Sequence, residues 1–427
     1  MADEIEITPL QKPISTTIEV PGSKSITNRA LLLAAITSGR SRIHNVLLSD
    51  DTWRMAAALT ALGFTLQIEE TEHRIEVEGL GGTIPADHAD LFVGGAGTAM
   101  RFLAGFVTLG RGRFRLDGNQ RMRMRPAGAL LETLRGLGAD AFSETDNGCP
   151  PIIVDTSKAP FAGGAATLDA SLSSQFVSAL LMPAPLWHEG LRLHVIGETA
   201  RPFIAMTLKL MDQFGAHSQS ERDTIVVPGQ QHYSSRDFAV EPDASSASYF
   251  AAAVALVGGT ITLPGITAES VQGDTGFIRI LEQMGAGVNW KADGVEVSGG
   301  RPLKGIDIAM NAMPDMVPTL AALAPLCSSP TRITKVGFIR HHESDRLAAL
   351  AAELRRLGVT VREFDDGLEI FPSPVKAASI ETYDDPRIAM AFAVIGLKIP
   401  GVRIKNPACV GKTYPGFFDD LRKLYTG

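Results

Sequence analysis

One pattern of hydrophobic and polar positions recurs along the chain. An apolar stretch with helical spacing ends in Leu-Gly or a close relative, and alternating apolar and polar residues follow it. The glycine suits the position after a helix end, where a left-handed backbone would strain a side chain. The alternating residues suit a half-buried strand. The pattern occurs in LTALGFTLQI, LRGLGADAF, LMDQFGAHS, LEQMGAGVNW and LRRLGVTVREF, with its glycine at Gly63, Gly138, Gly215, Gly285 and Gly358.

The spacing of this pattern indicates a duplicated unit. Successive glycines are 75, 77, 70 and 73 residues apart, which is too long for a solenoid repeat and leaves room for several strands and helices. A single copy would mean little, since α/β proteins often contain such a phrase. The final segment, FFDDLRKLYTG, predicts a sixth helix. We therefore expect an α/β protein with six units, arranged as two domains of three units each.

The same spacing predicts a break between the domains near 236–243, midway between the third and fourth glycines. We expect domain I to comprise residues 1–20 and 242–427, and domain II to comprise residues 21–241. The hinges would lie near 20–22 and 236–243. Neither segment is of low complexity, so each hinge is expected to be short rather than a flexible linker.

Composition and charge narrow the class of protein. Of the 427 residues, 45% are apolar and 20% are charged, which is typical of a globular protein with ample core. The net charge of −7 argues against a nucleic-acid surface. The three cysteines are widely spaced and predict neither a disulfide framework nor a zinc site. With no signal peptide and no long apolar run, we expect a cytoplasmic protein that does not enter a membrane.

The first candidate binding segment is PGSKSITNRALLLAAI. We predict a strand at 18–20 and a helix at 28–36, with a turn of small residues between them. Such a turn presents free N–H groups and the positive end of a helix dipole. Lys24 and Arg29 add positive charge, so the segment could bind an anion. It lacks the Walker A spacing, and an ordinary helix cap with a solvated lysine is the alternative.

Two further segments combine glycine or arginine with a predicted helix. The glycines in GGAGTAMRFLAG would let the backbone approach a ligand closely. The spacing of these glycines is not that of a dinucleotide-binding turn. Six arginines fall between Arg111 and Arg125. Arg125 precedes Pro126 and suits the first turn of a helix, where it could bind a carboxylate or phosphate. A solvated basic run is the alternative. The acidic total weighs against a nucleic-acid function.

Polar residues also precede several other apolar helices. Each one alone is more often a helix cap than a binding site. Together, however, cations at helix starts predict a strongly positive pocket in an acidic protein, formed where helix N-termini of both domains converge. Such a pocket suits one or two polyanionic small molecules. These residues are Ser173, Ser174, Gln175, Asp243, Asp315, His342, Glu343, Arg346, Arg387 and Lys412.

These segments, taken in order, resemble the 5-enolpyruvylshikimate-3-phosphate synthase family over nearly the whole chain. The resemblance implies two similar domains, each of three βαβαββ units around buried helices, an arrangement known as an inside-out α/β barrel. The matching blocks are PGSKSITNRALLLAA, GGAGTAMRFLAG, QRMRMRP, SSQFVSALLM, EPDASSASYF, QGDTGFIRILEQMGA, PDMVPT, HESDRLAALAAELRRLGV and GKTYPGFF.

The resemblance also implies an activity. Members of the family transfer the enolpyruvyl group of phosphoenolpyruvate to the 5-hydroxyl of shikimate 3-phosphate and release phosphate, on the shikimate pathway to chorismate and the aromatic amino acids. The chemistry needs no metal or redox cofactor, and we expect the domains to close over the reacting groups. A monomer is expected. Because Gly97 is retained, sensitivity to glyphosate is also expected.

Residue roles follow from the resemblance alone. Catalysis would fall to Asp315, Glu343 and Lys24, with the acid and base roles of the two carboxylates open to exchange. Phosphoenolpyruvate would be bound by Lys24, Gly97, Arg125, Gln175, Arg346, Arg387 and Lys412. Shikimate 3-phosphate would be bound by Lys24, Ser25, Arg29, Ser173, Ser174, Gln175, Asp315 and His342.

Several positions depart from the family pattern, mostly on the acceptor side. One hypothesis keeps shikimate 3-phosphate as acceptor, with His342 and either Arg201 or Arg340 supplying the charge of a missing lysine. The other is an enolpyruvyl transferase with a different acceptor. We favour the first. Transfer to UDP-N-acetylglucosamine is disfavoured, because Lys24 is followed by serine rather than asparagine, and a non-enzymatic anion-binding module is disfavoured further. The departures are Gly95, Ala200, Phe203, Phe338, His342 and Pro386.

Overall fold

The computed structural model describes residues 3–426. Its α-helices are α1 (Lys24–Ile36), α2 (Asp50–Ala61), α3 (Gly97–Phe106), α4 (Gly128–Gly136), α5 (Ser174–Leu181), α6 (Arg201–Gln213), α7 (Ala244–Val257), α8 (Gly276–Met284), α9 (Val317–Leu323), α10 (Arg346–Arg356), α11 (Pro386–Gly396) and α12 (Phe417–Lys423).

The β-strands are short and lie between these helices. They are β1 (Glu4–Glu6), β2 (Ile14–Thr17), β3 (Ser38–His44), β4 (Thr65–Glu69), β5 (Arg74–Leu80), β6 (His88–Phe92), β7 (Arg113–Asp117), β8 (Asp140–Ser143), β9 (Ile152–Asp155), β10 (Gly163–Asp169), β11 (Gly190–Ile196), β12 (Gln219–Glu221), β13 (Thr224–Val227), β14 (Asp237–Ala239), β15 (Gly259–Pro264), β16 (Gly287–Lys291), β17 (Gly294–Gly299), β18 (Asp307–Ala309), β19 (Thr331–Thr334), β20 (Val361–Phe364), β21 (Gly367–Ile370), β22 (Ser379–Ile380) and β23 (Arg403–Lys405).

The chain divides into two compact units. One, here called the terminal unit, combines Met1–Ser23 with Glu241–Gly427, and the other, the central unit, comprises Lys24–Val240. The chain therefore passes between the units twice, after Ser23 and after Val240. That these crossings act as hinges for domain closure stays a prediction.

One sheet motif is repeated through both units. In the sheet β6-β7-β9-β8, β6 and β7 are parallel, and β9 pairs antiparallel with both β7 and β8. A helix follows each of the first two strands, so the sequence of elements is βαβαββ. The sheets β10-β11-β13-β12 and β18-β19-β21-β20 have the same order and the same strand directions. The predicted duplication is therefore confirmed.

The remaining sheets are completed by strands that are distant in sequence. In the central unit, β14 pairs parallel with β3 and completes the sheet β14-β3-β5-β4. In the terminal unit, β2 pairs parallel with β15, and β1 pairs antiparallel with β23 in the sheet β1-β23-β22. These pairings explain why the N-terminal segment belongs to the terminal unit.

The first helix of each motif is buried nearly all round. Every residue of α3, α9 and α11 is buried, and so is nearly every residue of α1, α5 and α7. Their composition of alanine, leucine and other apolar residues fits this position, because a helix that is apolar on all faces belongs in a core. The second helices, such as α8 and α10, bury one face only. Each unit thus contains the predicted group of buried helices.

The recurrent glycines have the predicted backbone conformation. At Gly63, Gly138, Gly215, Gly285 and Gly358 the φ angles are 97°, 107°, 98°, 118° and 80°, all left-handed. Each glycine ends a helix and precedes a strand, and α12 confirms the predicted sixth helix.

The predicted strand at 18–20 is wrong. Strand β2 is Ile14–Thr17, and the N–H of Ile18 adds one more bond to the carbonyl of Thr262 at 3.0 Å. Ile18 and Val20 are instead buried in the core of the terminal unit, which accounts for their apolar alternation. Helix α1 begins at Lys24 rather than at residue 28. Within residues 3–426, no helix is both long and apolar enough to cross a membrane.

Candidate active site

Two arginines hold the carboxylate of Asp315. Asp315 lies in a 3-10 turn, Pro314–Met316, directly before α9. Its Oδ1 accepts a hydrogen bond from Arg346 Nη1 at 2.9 Å, and its Oδ2 accepts one from Arg387 Nη2 at 2.7 Å. Burial would raise the pKa of Asp315, but the charges of Arg387 and Arg346 together hold that pKa well below its usual range. Asp315 is therefore ionised at neutral pH.

Arg346 is the first residue of α10 and is surrounded by carboxylates. Its side chain is 2% exposed. Besides Asp315, it donates from Nε to Asp385 Oδ2 at 2.9 Å and from Nη2 to Glu343 Oε2 at 2.8 Å. Burial would lower the pKa of Arg346, but these three carboxylates raise it above its ordinary value. A buried guanidinium with such partners is fully charged and fixed in direction.

Asp385 and Tyr249 complete the surroundings of Arg387. Asp385 caps α11 and accepts a bond from the backbone N–H of Arg387 at 3.0 Å. The Tyr249 hydroxyl oxygen lies 3.4 Å from Arg387 Nη1. The sequence analysis assigned no role to either residue. For Asp385 a signal existed, since an aspartate directly before a Pro-initiated apolar helix is typical of a cap.

Lys412 is bound to the residue next to Asp385. Its Nζ donates to the backbone carbonyl of Asp384 at 2.7 Å and pairs with the carboxylate of the same residue. Lys412 ends a 3-10 helix, Pro407–Lys412, and lies before the turn that leads into α12 at Phe417, as predicted. The terminal unit nevertheless gathers its three predicted cations around Asp315, Asp384 and Asp385.

Asp274 is a buried carboxyl group for which no role was predicted. Its Oδ2 accepts a bond from Ser245 Oγ at 2.5 Å, and its Oδ1 has no hydrogen-bond partner in the part of the chain that the structure describes. Burial, and then the nearby charge of Asp315, raise the pKa of Asp274 to about 7. The segment QGDTGFIRILEQMGA contains this residue, but nothing in the local pattern shows that its side chain is buried.

In the central unit, Gly97 leaves space for two arginines. A Cβ atom at this position would lie 2.6 Å from both Nη1 and Nη2 of Arg125 and 2.7 Å from Nη1 of Arg101. Arg125 is 5% exposed and follows a 3-10 turn, Met122–Met124. Since α4 begins at Gly128, Arg125 precedes the helix instead of lying in its first turn.

Gln175 links this glycine turn to helix α5. Its Oε1 accepts a bond from Arg101 Nη1 at 2.9 Å, and its Nε2 donates to Thr98 Oγ1 at 3.1 Å. Ser173 caps α5, because its Oγ accepts a bond from the N–H of Gln175 at 3.2 Å, and Ser174 is the first helical residue. Arg101 was noticed in the sequence but given no role.

Half of the six arginines between Arg111 and Arg125 are paired with carboxylates. These three pairs lie within the central unit, and Arg125 is the buried member of the six, next to the glycine turn. The pairs are Arg113–Asp155 at 3.2 Å, Arg115–Glu144 at 2.8 Å and Arg123–Asp117 at 2.6 Å.

Arg29 is buried inside the central unit. It donates to Thr207 Oγ1 at 2.7 Å, to the Ser25 carbonyl at 2.9 Å and to Ser178 Oγ at 3.2 Å, and it lies 4.9 Å above the Phe102 ring. These partners are neutral, and burial lowers the pKa of Arg29 to about 9. Arg29 therefore packs α1 against its neighbours, and binding an acceptor would require some of these bonds to be exchanged.

Lys24 opens α1 and is paired with a carboxylate. Its Nζ lies 3.0 Å from Asp51 Oδ2, and the two side chains are 14% and 8% exposed. Asp51 lies in the first turn of α2, where the helix dipole favours a negative charge. An anionic substrate at Lys24 would compete with this partner.

His342 occupies the position where the family usually has lysine. Its Nδ1 lies 3.1 Å from Arg346 Nη1, and its ring packs edge-on against Phe338 with centroids 5.8 Å apart. Because the guanidinium can only donate, this contact requires Nδ1 to be an acceptor. The contact therefore favours the tautomer of His342 that carries its proton on Nε2.

The two arginines proposed to replace the missing lysine are paired already. Arg340 donates to Asp345 at 3.1 Å and to Glu363 at 3.0 Å, and Arg201 donates to Asp223 at 2.6 Å. As at Lys24 and Arg346, an acceptor would have to displace these carboxylates, and the expectation that either arginine supplies a charge stays a prediction.

The other departures have local structural roles. Ala200 is the residue before α6, and Pro386 is the first residue of α11. The backbone carbonyl of Phe203 accepts a bond from Arg29 Nη2 at 3.3 Å. Nothing in these contacts selects a particular acceptor.

No metal site accompanies these residues. Within the described range, 3–426, no group of three or more His, Cys, Asp or Glu side chains is arranged to hold a metal ion.

The repeated βαβαββ motif and its clusters of charged residues define a class: a repeat-built α/β protein whose buried cations suit anionic small molecules. The sequence profile of the EPSP synthase (3-phosphoshikimate 1-carboxyvinyltransferase) family matches residues 9–421. The chain therefore belongs to this family.

Individual relatives agree with the family match. The chain is 46% identical over 424 residues to a 3-phosphoshikimate 1-carboxyvinyltransferase of Nostoc sp. strain PCC 7120, covering 99% of both chains. It is 43% identical over 440 residues to a chloroplastic protein of that name from Solanum lycopersicum, covering 98% of this chain and 84% of the relative. The structure of an EPSP synthase from Acinetobacter baumannii matches with a TM-score of 0.82 at 25% identity, over 99% of this chain and 98% of that one.

Proposed function

We propose that this chain transfers the enolpyruvyl group of phosphoenolpyruvate to the 5-hydroxyl of shikimate 3-phosphate and releases phosphate. The family match over residues 9–421 supports this reaction. The observation that carries it in the structure is the carboxylate of Asp315 between two buried arginines, at 2.9 and 2.7 Å. This arrangement places a proton acceptor beside two fixed cations, which is what addition to an anionic enol phosphate needs.

We assign phosphoenolpyruvate and the leaving phosphate to the strongest cations. A guanidinium forms paired bonds with a phosphate or carboxylate, and buried charges interact strongly because little water screens them. In the structure these cations bind the protein's own carboxylates, so we propose that substrate anions take over some of those bonds. The residues assigned are Lys24, Gly97, Arg125, Gln175, Arg346, Arg387 and Lys412.

Shikimate 3-phosphate is assigned to the polar residues at the starts of α1 and α5 and to the Asp315 region. Hydroxyl and amide groups there can bind the phosphate and ring hydroxyls of the acceptor. Arg29 belongs to this set only if its bonds to neutral partners are exchanged. The residues assigned are Lys24, Ser25, Arg29, Ser173, Ser174, Gln175, Asp315 and His342.

The direction of the Asp315 pKa separates the two proton-carrying roles. A carboxylate with a strongly lowered pKa holds no proton at neutral pH, so Asp315 is not the donor. We assign it the acceptance of the proton of the 5-hydroxyl, at the stage when substrate anions have taken over some of its bonds to the arginines. Glu343, whose Oε2 accepts from Arg346 Nη2 at 2.8 Å, is then assigned the donation to C3 of phosphoenolpyruvate, with Lys24 assisting. This role requires Glu343 to take up a proton when the substrates bind. The 5-oxygen adds to C2, which gives a tetrahedral intermediate. Phosphate then leaves from C2, and the new methyl group loses a proton, which restores the double bond.

A coupled phosphate-release assay with rival acceptors tests this proposal. We expect release with phosphoenolpyruvate and shikimate 3-phosphate, and little with shikimate or UDP-N-acetylglucosamine. The names of the relatives give no support to a different acceptor. Faster release with either rival than with shikimate 3-phosphate would overturn the proposal. Competition between glyphosate and phosphoenolpyruvate in the same assay tests the expected sensitivity.

The assembly state and the location belong to the same proposal. We propose a monomer, since each unit completes its own sheets with strands of this chain. We also propose that it acts in the cytoplasm. Sedimentation velocity across a range of concentrations tests the first point, and a concentration-dependent shift to a larger species would contradict it.

A further inference from the structure

The turn at Thr382–Asp385 has an unusual backbone. Tyr383 and Asp384 have φ angles of 54° and 55°, and the N–H of Asp385 donates to the carbonyl of Thr382 at 2.8 Å. These features are those of a type I′ turn, whose two central positions favour glycine and asparagine. Tyrosine is uncommon in this conformation, and such strain persists only where the surrounding structure maintains it. A specific contact must therefore hold Tyr383 in place.

That contact is a hydrogen bond to a buried carboxylate. Glu353 has a fully buried side chain, and its Oε1 accepts a bond from the Tyr383 hydroxyl at 2.8 Å. Its Oε2 accepts one from the backbone N–H of Glu381 at 3.0 Å and lies 3.0 Å from Arg356 Nε. A buried charge is tolerated only with partners of this kind, so the side chain of Glu353 is fixed in position. Glu353 thus ties the residues before and within the turn.

The same helix reaches the turn at a second point. Glu353 and Arg346 both lie on α10, seven residues apart, so they project from the same face about 10 Å from each other. Arg346 donates to Asp385 at 2.9 Å, and Glu353 accepts from Tyr383 at 2.8 Å. Helix α10 therefore fixes the turn at both of its ends.

The position of this turn determines where three cationic side chains lie. Asp384 accepts from Lys412 through its carbonyl at 2.7 Å and through its carboxylate. Asp385 binds the side chain of Arg346 and the backbone N–H of Arg387. These three cations are the ones that the proposed function assigns to phosphoenolpyruvate in the terminal unit. A change in the turn would therefore be transmitted to the substrate-binding side chains.

We propose that Glu353 and Tyr383 are positioning residues for the phosphoenolpyruvate-binding cations Arg346, Arg387 and Lys412. This inference rests on the proposed function for the identity of the ligand. The positioning of the cations depends on the hydrogen bond from the Tyr383 hydroxyl to the Glu353 carboxylate, because this bond keeps the turn in its left-handed conformation. Glu353 acts through Tyr383, and Tyr383 acts through Asp384 and Asp385.

Tyr383→Phe is the sharpest variant, because it removes only the hydroxyl. We expect KM for phosphoenolpyruvate to rise about tenfold, kcat to change less than about threefold, and KM for shikimate 3-phosphate to stay within about twofold. A purely structural role would reduce the amount of folded enzyme and hence the apparent kcat, and would leave both KM values unchanged. The split between the two KM values therefore separates positioning from stability.

Tyr425→Phe is the matched control. The hydroxyl of Tyr425 also donates to the protein, to the Thr8 carbonyl at 2.5 Å, and Tyr425 is 40% exposed compared with 44% for Tyr383. Its loss should leave both KM values unchanged. Equal effects of the two variants on KM, or no effect of Tyr383→Phe, would overturn the inference.

A second pair of variants tests the carboxylate. Glu353→Gln should raise KM for phosphoenolpyruvate at least as much as Tyr383→Phe, and Glu353→Asp should restore part of the loss because it keeps the charge. In the double variant that also carries Tyr383→Phe, KM for phosphoenolpyruvate should be no higher than in Glu353→Gln alone, since both substitutions act through one hydrogen bond. Additive effects of the two substitutions on KM would contradict the inference that both act through this bond.

Calorimetric titration with phosphoenolpyruvate and with inorganic phosphate, each without acceptor, keeps this test separate from the proposed function. If the wild-type chain binds these anions but releases no phosphate with any acceptor, the proposed reaction is wrong. The positioning inference is then decided by affinity alone: weaker binding in Tyr383→Phe than in Tyr425→Phe supports it, and equal binding overturns it.

Discussion

Arg387 Nη2 lies 2.7 Å from Asp315 Oδ2, and Arg346 Nη1 lies 2.9 Å from the other oxygen of the same carboxylate. The two arginines are buried, whereas the side chain of Asp315 is 21% exposed. The carboxylate is thus held by two buried cations, and part of it remains accessible to solvent. Its position and its ionisation both depend on these bonds, so it can act as a base without first losing a proton.

Replacing this carboxylate should therefore remove activity. We predict that Asp315→Asn lowers kcat about a thousandfold, because the amide keeps the shape but cannot accept a proton. Steady-state kinetics with both substrates measures the effect. Asp307→Asn, at an exposed aspartate in strand β18 of the same unit, is the control and should retain wild-type kcat. An Asp315→Asn variant with more than about a tenth of wild-type kcat would exclude Asp315 as the base.

A methyl group at Gly97 should disturb phosphoenolpyruvate binding. In Gly97→Ala the new Cβ would lie 2.6 Å from both terminal nitrogens of Arg125, so the guanidinium must move. We expect KM for phosphoenolpyruvate to rise about tenfold or more, with little change in KM for shikimate 3-phosphate.

Gly136→Ala is the control for this substitution. Gly136 is also helical, in α4, but a Cβ there would have nothing within 4 Å. Its kinetics should match the wild type. Equal KM values for phosphoenolpyruvate in the two alanine variants would show that the space at Gly97 does not serve this substrate.

The buried carboxyl of Asp274 should make stability depend on pH. Its pKa is about 7 in the folded chain and has an ordinary value of 3.8, so between these pH values the folded state holds a proton that the unfolded state has lost. The free energy of unfolding then falls as pH rises through this window, by up to about 4 kcal/mol from this group. The asparagine in Asp274→Asn cannot ionise, so this variant should not lose unfolding free energy from this site as pH rises.

Urea denaturation of both proteins between pH 4 and 8 measures the effect. The stability of Asp274→Asn relative to the wild type should increase from pH 4 to 7 and then level off. Asp293→Asn, at an exposed position of the same unit, should show no such trend. A constant difference between Asp274→Asn and the wild type across the range would contradict the raised pKa.

Acceptor binding should depend on the protonation of His342 if that residue replaces the usual lysine. We predict that affinity for shikimate 3-phosphate weakens as pH rises from 6 to 8, because the neutral ring that contacts Arg346 at 3.1 Å carries no charge for the phosphate. In His342→Gln the affinity should be lower at pH 6 and should change less with pH. Parallel pH profiles of the two proteins, measured by calorimetry, would remove His342 from the acceptor site.

Much of the fold could be predicted because its signals are local. The left-handed glycines at Gly138 and Gly285 terminate helices through their own backbone chemistry, and their spacing revealed the repeat. Buried helices such as α11 are apolar on every face. The strand at 18–20 was mispredicted, since alternation of Ile18 and Val20 looks the same whether the residues lie in a strand or in an irregular buried segment.

The site could be predicted only in part, because pairing between distant residues decides which charges remain available. Arg340 is paired with Glu363, and Arg201 is paired with Asp223, and neither partner is adjacent in sequence. The neutral surroundings of Arg29 likewise arise from tertiary packing. Arg346 and Arg387 stand at helix starts and were predicted from that local position, but they too are paired with carboxylates, so their role stays a prediction.

The most direct test of the proposed reaction is identification of its product by NMR. The purified chain is incubated with shikimate 3-phosphate and phosphoenolpyruvate labelled with ¹³C at C2. We predict that the label moves into an enol ether attached to the 5-oxygen of the acceptor, with one phosphate released for each ether formed, and that Asp315→Asn forms this ether about a thousandfold more slowly. Label that stays in phosphoenolpyruvate, or an ether at any other oxygen, would contradict the account.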